Sequence, residues 1–268
     1  MEQSDRTPII QVTHVTAAYN GTVLLDDLSF DVYPGEVFVI LGRSGSGKST
    51  LLKQMIGLHR PMRGSILIEG EDIVTAEGQE RLELLIKIGV MYQEGALFGS
   101  MNLLENVRLP LEEYTDLPDD AIDTIAHMKL QLVELGSAAY KLPDEISGGM
   151  RKRAAIARAM ALDPRILFLD EPSAGLDPIT SAELDQLIVS LARNLKITFV
   201  VVTHELPSIE AIADRVIMLD VHTKKIIAQG KPKALRDQSE NPCVRAFFNR
   251  EAAATVSEPE RQSPHGAS

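Results

Sequence analysis

The residues best suited to chemistry form a glycine-rich segment, GRSGSGKST, at positions 42–50. It fits the pattern G-x-x-x-x-G-K-[ST], in which glycines let successive backbone N–H groups turn toward phosphate oxygens. We expect Lys48 to reach the β- and γ-phosphates of a nucleotide and the Ser49 hydroxyl to bind Mg²⁺. The residues predicted to contact the nucleotide in this phosphate loop are Gly42, Ser44, Gly45, Gly47, Lys48, Ser49 and Thr50.

A pair of carboxylates follows an apolar segment later in the chain. Residues 166–169 (ILFL) have the pattern of a buried strand and lead directly into Asp170 and Glu171. A buried parallel strand that ends in acidic residues is the expected companion of a phosphate loop. We predict that Asp170 holds Mg²⁺ through water and that Glu171 polarises the attacking water as general base.

A third segment, ISGGM at positions 146–150, precedes a helical pattern over residues 151–162. A small hydroxyl and two glycines at the start of a helix expose N–H groups and the helix dipole to an anion. The segment resembles the LSGGQ signature motif of the ABC ATPases, although Met150 replaces the usual Gln and a thioether accepts hydrogen bonds only weakly. In that family the anion is the γ-phosphate of ATP bound to the opposite subunit. The resemblance therefore implies that Ser147, Gly148 and Gly149 contact the ATP that is bound to a second copy of the chain.

The resemblance to ABC ATPases covers residues 8 to about 237 and implies further roles. Tyr19 matches the aromatic residue that stacks on adenine, and Gln93 matches the glutamine that senses Mg²⁺ and the attacking water. His204 matches the histidine that contacts the γ-phosphate, and Asp177 lies in a segment resembling the loop (the D-loop) that links the two sites of a dimer. The implied cofactors are ATP and Mg²⁺. The implied catalytic residues are Glu171, His204 and Gln93, and the implied metal ligands are Ser49, Gln93 and Asp170.

Strand patterns fall into two groups that together predict an α/β fold. An early group is β-rich and contains the hairpin signal Asn20-Gly21. A second group consists of short apolar runs that alternate with helices, as in βαβ units with a parallel sheet. The early strands are predicted over residues 9–19, 25–32 and 64–73, the buried strands over 36–41, 166–169 and 198–202, a final strand pair over 215–219 and 226–229, and helices over 49–58 and 119–136.

The predicted class is a P-loop NTPase of ABC type, with a parallel-sheet RecA-like core, an antiparallel β subdomain and an α-helical subdomain. We place the ABC ATPase domain at residues 8–240, with the helical subdomain inserted at about 96–162. Residues 241–268 form a predicted C-terminal extension. From residue 251 it is rich in Ala, Ser, Pro and Glu, and we expect that part to be mobile.

Composition limits the partners of this 268-residue chain. A formal net charge of −11 argues against nucleic acid as a main ligand, because phosphate backbones are bound by clustered Lys and Arg. The single cysteine, Cys243, fits a reducing cytosol. No run approaches the roughly 18–20 apolar residues that span a bilayer, and the polar N-terminus shows no signal peptide. We expect a protein that serves a membrane through partners.

The number and spacing of the motifs distinguish between types of ABC protein. The interval between Lys48 and Ser147 is too short for the long coiled coil of chromosome-type ABC proteins. A single phosphate loop also differs from the paired ATPase domains of translation-type proteins. A transporter ATPase is therefore favoured over a soluble non-transport ABC ATPase.

Residues 95–107 and the LPL at 109–111 resemble ATPases of the maintenance-of-lipid-asymmetry, or MCE-associated, group, as does the DPIT at 177–180. That group moves phospholipid or related hydrophobic molecules between two membranes. The resemblance implies a location at the cytoplasmic face of the inner membrane and no nucleic-acid partner. The implied partners are a second copy of the chain, a polytopic permease, an MCE-domain lipid-binding subunit and, as in some members of the group, a STAS-domain protein. An amino-acid or metal-chelate importer is the alternative. The apolar residues Leu97, Phe98, Met101 and Leu103 have two interpretations, core packing or contact with a coupling helix of the permease.

Overall fold

The computed structural model describes residues 7–19 and 21–249, which form two β-sheets with helices around them. The strands are β1 (Ile10–Tyr19), β2 (Thr22–Val32), β3 (Val37–Gly42), β4 (Arg63–Ile68), β5 (Glu71–Asp72), β6 (Ile88–Met91), β7 (Ile166–Asp170), β8 (Thr198–Val202), β9 (Arg215–Leu219) and β10 (Ile226–Gly230). The helices are α1 (Lys48–Met55), α2 (Gly78–Ile86), α3 (Leu103–Tyr114), α4 (Asp119–Leu132), α5 (Gly148–Ala159), α6 (Pro178–Leu195), α7 (Leu206–Ile212), α8 (Pro232–Gln238) and α9 (Pro242–Phe248).

The core sheet has six strands in the order β10-β9-β3-β8-β7-β6, parallel except for β10. Strand β3 is buried at every position, as expected for a strand covered on both faces. Its side chains alternate, so that Phe38 and Ile40 belong to one apolar core while Val39 and Leu41 belong to the other. Because β3, β7 and β8 are parallel neighbours, the segments that follow them meet at one edge of the sheet.

The second sheet is antiparallel, with the order β2-β1-β4-β5. Strand β1 pairs with both β2 and β4, and Tyr19 lies opposite Thr22 at the β1–β2 turn. Asn20, half of the predicted hairpin signal, lies outside the described residues. Leu25 of β2 and Ile66 of β4 are buried in a core that this sheet shares with α1 and with one face of the core sheet. The predicted antiparallel subdomain is confirmed.

Helices α3, α4 and α5 pack on the other face of the core sheet. Helix α3 begins with a capping box, in which Asn102 accepts from Glu105 N at 2.9 Å and Glu105 accepts from Asn102 N at 2.8 Å. Arg108 of α3 bonds to Asp119 at 3.1 Å and also contacts Asp123, so it joins α3 to the first turns of α4. These helices confirm the predicted α-helical subdomain.

Some elements differ from the sequence-based expectation. The helix predicted over residues 49–58 ends at Met55, because the backbone turns into the left-handed region at Gly57 (φ 72°). Helix α2 and strand β6 were not predicted. Within β6, a Cβ on Gly89 would lie 2.1 Å from the carbonyl oxygen of Ala159, so glycine permits the close approach of α5 to this strand.

After the core sheet, the described part of the chain forms α8 and α9. Val244 and Phe248 of α9 are buried in the core on the helical face, although they belong to the predicted extension. The expected mobility from residue 251 lies outside the described residues. The boundaries 8–240, about 96–162 and 241–268 stay predictions. None of the helices in the described ranges combines the length and apolar character needed to cross a bilayer.

Candidate functional site

A cavity of about 530 Å³ lies at the edge of the core sheet where β3, β7 and β8 end. It brings together five separate parts of the chain: β2, the phosphate loop, the segment after β6, the carboxylate after β7 and the histidine after β8. Ligands of open α/β sheets bind at this edge. The lining residues are Leu24, Ser44, Gly45, Ser46, Gly47, Lys48, Ser49, Thr50, Gln93, Glu171 and His204.

The phosphate loop bends sharply at Gly47, whose φ is 93° and whose Cβ, if present, would lie 2.5 Å from Leu25 Cδ2. Both facts require glycine there. Gly47 has no side chain to cap α1, so the first N–H groups of this helix face the cavity as an anion site. Lys48 is buried and its Nζ donates to Gly42 O at 2.9 Å. Burial lowers the pKa of Lys48, and the charges of Glu171 and Asp170 oppose that shift.

The carboxylate pair lies at the end of β7, where Asp170 is the last strand residue and Glu171 follows it. Glu171 adopts a left-handed backbone (φ 47°), and its N–H donates to Val202 O of β8 at 2.8 Å. Its side chain is buried, and Oε1 lies 2.8 Å from Nδ1 of His204. Because a carboxylate only accepts, the His204 Nδ1 proton is assigned to this bond. Oε2 of Glu171 has no hydrogen-bond partner among the described residues.

Asp170 carries a second buried carboxylate oxygen, Oδ1, without a partner in the part of the chain that the structure describes. Burial raises the pKa of Asp170, as does the neighbouring Glu171, while nearby lysines oppose the shift. Carboxylate and hydroxyl oxygens are the ligands that Mg²⁺ prefers. The orphaned oxygen of Asp170 and the hydroxyl of Ser49 in the cavity therefore fit a magnesium ion.

The signature segment occupies the amino end of α5. Ser147 is exposed and caps the helix, with its Oγ accepting from Met150 N at 3.2 Å. A Cβ on Gly149 would lie 2.3 Å from Thr180 Cγ2, so glycine is required by the contact between α5 and α6. Within the described residues, the lining of the cavity includes none of Ser147, Gly148 and Gly149.

Asp177 caps α6 and is fixed by three hydrogen bonds. Its Oδ1 accepts from Ile179 N at 3.0 Å and Thr180 N at 3.1 Å, and its Oδ2 accepts from Thr180 Oγ1 at 2.6 Å. The bond from the Thr180 hydroxyl contributes most to lowering the pKa of Asp177. Thr180 therefore contacts both the D-loop residue Asp177 and the signature residue Gly149.

Among the residues predicted to bind the nucleotide or Mg²⁺ on the same chain, three are absent from the cavity lining found in the described ranges. Tyr19 ends β1 and is 69% exposed, so its ring is available for stacking. Gly42 ends β3, where a Cβ would lie 2.5 Å from Ser46 Oγ. Asp170 ends β7.

Lys152 of α5 was not predicted, yet its ammonium lies next to the site. Its Nζ donates to the carbonyl oxygens of Gln93 and, at 3.4 Å, of Glu171. Burial lowers the pKa of Lys152, and the neighbouring carboxylates oppose the shift. The sequence carries one signal for it: a lysine in a helix face that is otherwise rich in alanine, KRAAIARA. The opposing carboxylates are Glu94, Glu171, Asp170 and Glu205.

A phosphate loop after a central parallel strand, carboxylates after β7 and a Ser-Gly-Gly helix start outside the cavity define a P-loop nucleotide hydrolase of ABC type. The model of the ABC transporter family matches residues 25–174. The chain belongs to this family, as an ATP-binding subunit whose ATP hydrolysis is coupled to transport.

Two relatives match this chain over most of its length and support its place in the family. The chain is 44% identical over 240 residues to the probable ribonucleotide transport ATP-binding protein mkl of Mycobacterium leprae (strain TN), covering 90% of this chain and 68% of that protein. It is 38% identical over 248 residues to the intermembrane phospholipid transport system ATP-binding protein MlaF of Haemophilus influenzae, covering 92% and 93%. The second relative confirms the resemblance to the maintenance-of-lipid-asymmetry group.

Solved structures share the fold. The cbiO1 protein of Clostridium perfringens, described as part of the ABC transporter complex cbiONQ, is 29% identical with a TM-score of 0.80, covering 86% of this chain and 91% of that one. The ATP-binding cassette MJ0796, in a dimeric post-hydrolysis state bound to ADP and Pi, is 30% identical with a TM-score of 0.75, covering 83% and 98%. The predicted ABC-type fold is confirmed.

Proposed function

We propose that two copies of this chain bind ATP between them, head to tail, and drive a permease that moves phospholipid or another hydrophobic cargo between membranes. The observation that carries the dimer is the position of Ser147, which is exposed at the start of α5 and lies outside the lining of the cavity within the described residues. The Met150 N–H is bonded to Ser147 Oγ, but the positive end of the helix dipole at this start still suits a γ-phosphate presented by another copy. The dimeric form of MJ0796 with ADP and Pi supports the same arrangement.

In this proposal the phosphate loop holds the nucleotide. The ammonium of Lys48 and the first N–H groups of α1 bind the phosphates, and the exposed ring of Tyr19 stacks on adenine. Ser49, Gln93 and Asp170 are the proposed ligands of Mg²⁺, which when bound neutralises charge on the β- and γ-phosphates. Ser147, Gly148 and Gly149 act on the nucleotide of the other copy, and Asp177 connects the two sites.

Glu171 is the proposed general base. Its Oε1 already accepts from His204, so Oε2 is the oxygen left to accept a proton from the attacking water. His204 keeps the carboxylate oriented and, with 59% of its side chain exposed, can also contact the γ-phosphate. Gln93 also lines the cavity, and it is proposed to help orient the water.

The proposed docking site for the permease is an apolar groove between α2, β6, α3 and α5, with a volume of about 220 Å³. Phe98 (51% exposed) and Tyr114 leave aromatic surface beside it, which suits a short helix from a partner. Leu103, by contrast, is fully buried in the core and Leu97 packs against it. Core packing therefore accounts for Leu103 and Leu97, whereas Phe98 is the residue proposed to contact the permease.

The cargo proposal rests on the relative MlaF, which matches almost the full length of both chains. From the same resemblance we propose a peripheral location on the cytoplasmic face of the inner membrane, with an MCE-domain subunit and a STAS-domain protein as partners. The name of mkl makes a ribonucleotide the second candidate. Mass spectrometry of molecules that co-purify with the intact complex separates them: phospholipid is expected. A bound nucleotide cargo, or a periplasmic amino-acid or metal-chelate receptor, would reject the lipid proposal.

Replacing Glu171 with Gln tests the hydrolytic mechanism. We expect phosphate release to fall by about 10²- to 10⁴-fold, because a general base contributes that much. ATP binding should persist, and ATP should now hold the dimer together in size-exclusion chromatography. Glu210→Gln, a change of the same type at an exposed residue of α7, is the matched control and should leave turnover unchanged. Appreciable turnover in Glu171→Gln would reject the assignment of the base.

A further inference from the structure

Two basic side chains of α5 contact the segment of residues 93–98. Lys152 donates to Gln93 O, and Arg158 donates from Nη1 to Ala96 O at 2.7 Å and from Nη2 to Gly95 O at 3.2 Å. Both side chains project from the same helix within two turns, so α5 holds the carbonyl groups of Gln93, Gly95 and Ala96.

The far end of the segment reaches the proposed permease groove. The guanidinium of Arg158 lies 6.0 Å from the centroid of the Phe98 ring, and Arg158 also lines the groove. Movement of Phe98 by a docked partner therefore acts directly on a segment that α5 holds through charged side chains.

The near end of the segment reaches the carboxylate pair. The Lys152 ammonium donates to Gln93 O and also to Glu171 O, so a single side chain joins two loops that have no covalent connection nearby. Lys152 is only 8% exposed, and both partners are backbone oxygens, which cannot move without moving their loops. The position of one carbonyl thereby fixes the position of the other.

We propose that Lys152 is a positioning residue for ATP hydrolysis, which transmits displacement of residues 93–98 to the backbone of Glu171. The proposal rests on the proposed function, because it assumes that Glu171 is the base and that a partner binds near Phe98. Lys152 bonds to backbone carbonyl oxygens, and within the described residues it is not part of the cavity lining. Its loss should therefore change the rate of the chemical step and leave nucleotide affinity intact.

The test compares Lys152→Met, Lys152→Gln and Lys129→Met in the full-length chain. Methionine keeps the length of the side chain and removes the donors, whereas glutamine keeps an N–H₂ donor without the charge. Lys129 of α4 is the matched control, because it is 7% exposed and its Nζ contacts Asp163, outside the cavity lining. All variants are measured for kcat, KM for Mg-ATP, melting temperature and hydrogen exchange of residues 93–98.

We expect Lys152→Met to lower kcat by about 10- to 100-fold, the loss that follows removal of hydrogen bonds from a charged donor. KM should stay within about 3-fold of wild type, and exchange of residues 93–98 should become faster. Lys152→Gln should recover part of kcat. Lys129→Met should lower the melting temperature without changing kcat or the exchange of this segment.

Several results would reject the positioning role. They are a kcat for Lys152→Met equal to that of Lys129→Met, a parallel loss of nucleotide affinity, or no recovery in Lys152→Gln. If Lys152→Met does not fold, Lys152→Gln decides alone, since unchanged kcat and unchanged exchange in that variant would contradict the proposal. Failure of the proposed function looks different: wild type itself would not hydrolyse Mg-ATP, or Glu171→Gln would retain turnover.

Discussion

The amino ends of α1 and α5 are both built from small residues, but their surroundings differ. Helix α1 follows Gly47, which has no capping side chain, and its first residue, Lys48, is buried at the cavity. Helix α5 follows Ser147, which is exposed and whose Oγ already accepts from Met150 N. One helix end is enclosed by its own chain, whereas the other faces outward. This difference supports the proposal that a single chain supplies two unlike halves of a phosphate site.

Packing explains why each end keeps its shape. Leu25 of β2 lies so close to Gly47 that a Cβ would clash, which holds the phosphate loop against the antiparallel sheet. The signature end is braced by α6, through Thr180 against Gly149. The first brace links α1 to the antiparallel sheet, and the second links α5 to the D-loop. Substitutions should therefore affect ATP binding at α1 and action on the other copy at α5.

The largest effect is expected at Lys48. Lys48→Met removes the buried ammonium from the phosphate site, and we expect ATP binding to weaken at least about 100-fold, as for other losses of buried charged donors. Titration with a fluorescent ATP analogue measures this. Lys233→Met, at an exposed lysine of α8, should change affinity by less than about 2-fold. Near-normal ATP binding by Lys48→Met would contradict the assignment of the amino end of α1 as the chain's own phosphate site.

Mixing two inactive variants tests whether the α5 end acts on another copy. Ser147→Arg should still bind ATP but lose hydrolysis, because its side chain blocks the helix start. A mixed dimer of Ser147→Arg with Lys48→Met has one site with both defects and one intact site. Turnover should therefore appear on mixing and should not exceed one active site per dimer. If mixing restores nothing and ATP never closes the dimer, a site shared between copies is excluded.

A smaller effect should follow from Gly149→Ala. The added Cβ would lie 2.3 Å from Thr180 Cγ2, and overpacking of this kind destabilises a fold by about 1–3 kcal/mol. Thermal unfolding measures the loss. The double variant Gly149→Ala with Thr180→Ser should recover stability, because serine lacks the methyl group and keeps the hydroxyl that donates to Asp177. Gly148→Ala meets its nearest atom at 3.4 Å and should be tolerated. Equal losses for both alanines would contradict the packing argument.

The smallest effect is expected from Asp177→Asn, since asparagine also caps helices well. The pKa of Asp177 is lowered in the fold, so its carboxylate stabilises the fold above its unfolded pKa of about 3.9. That stabilisation is lost as the pH falls through the folded pKa. The melting temperature of Asp177→Asn should lie slightly below wild type at pH 7, and the two should converge at low pH. A difference in melting temperature that grows as the pH falls would contradict this prediction.

The contiguous motifs could be predicted because the residues that act together in each of them are adjacent in the sequence. Residues 42–50 begin at the last residue of a buried strand, as expected, and Asp170 and Glu171 lie at the end of the next-but-one strand of the core sheet. The contact of Lys152 with Gln93 and Glu171 could not be predicted, because it joins residues far apart in sequence. Strand β6 was missed for a related reason: it is short, and its place depends on pairing with β7.

The hydrogen bond from Glu171 N to Val202 O has a consequence for how the machinery could move. Val202 ends β8, and His204 follows it, so the glutamate is fastened to the strand that carries its histidine partner. When helices tilt during a working cycle, the acid and the imidazole should travel together as one rigid pair. Reorientation would then alter their distance to the nucleotide without disturbing their distance to each other.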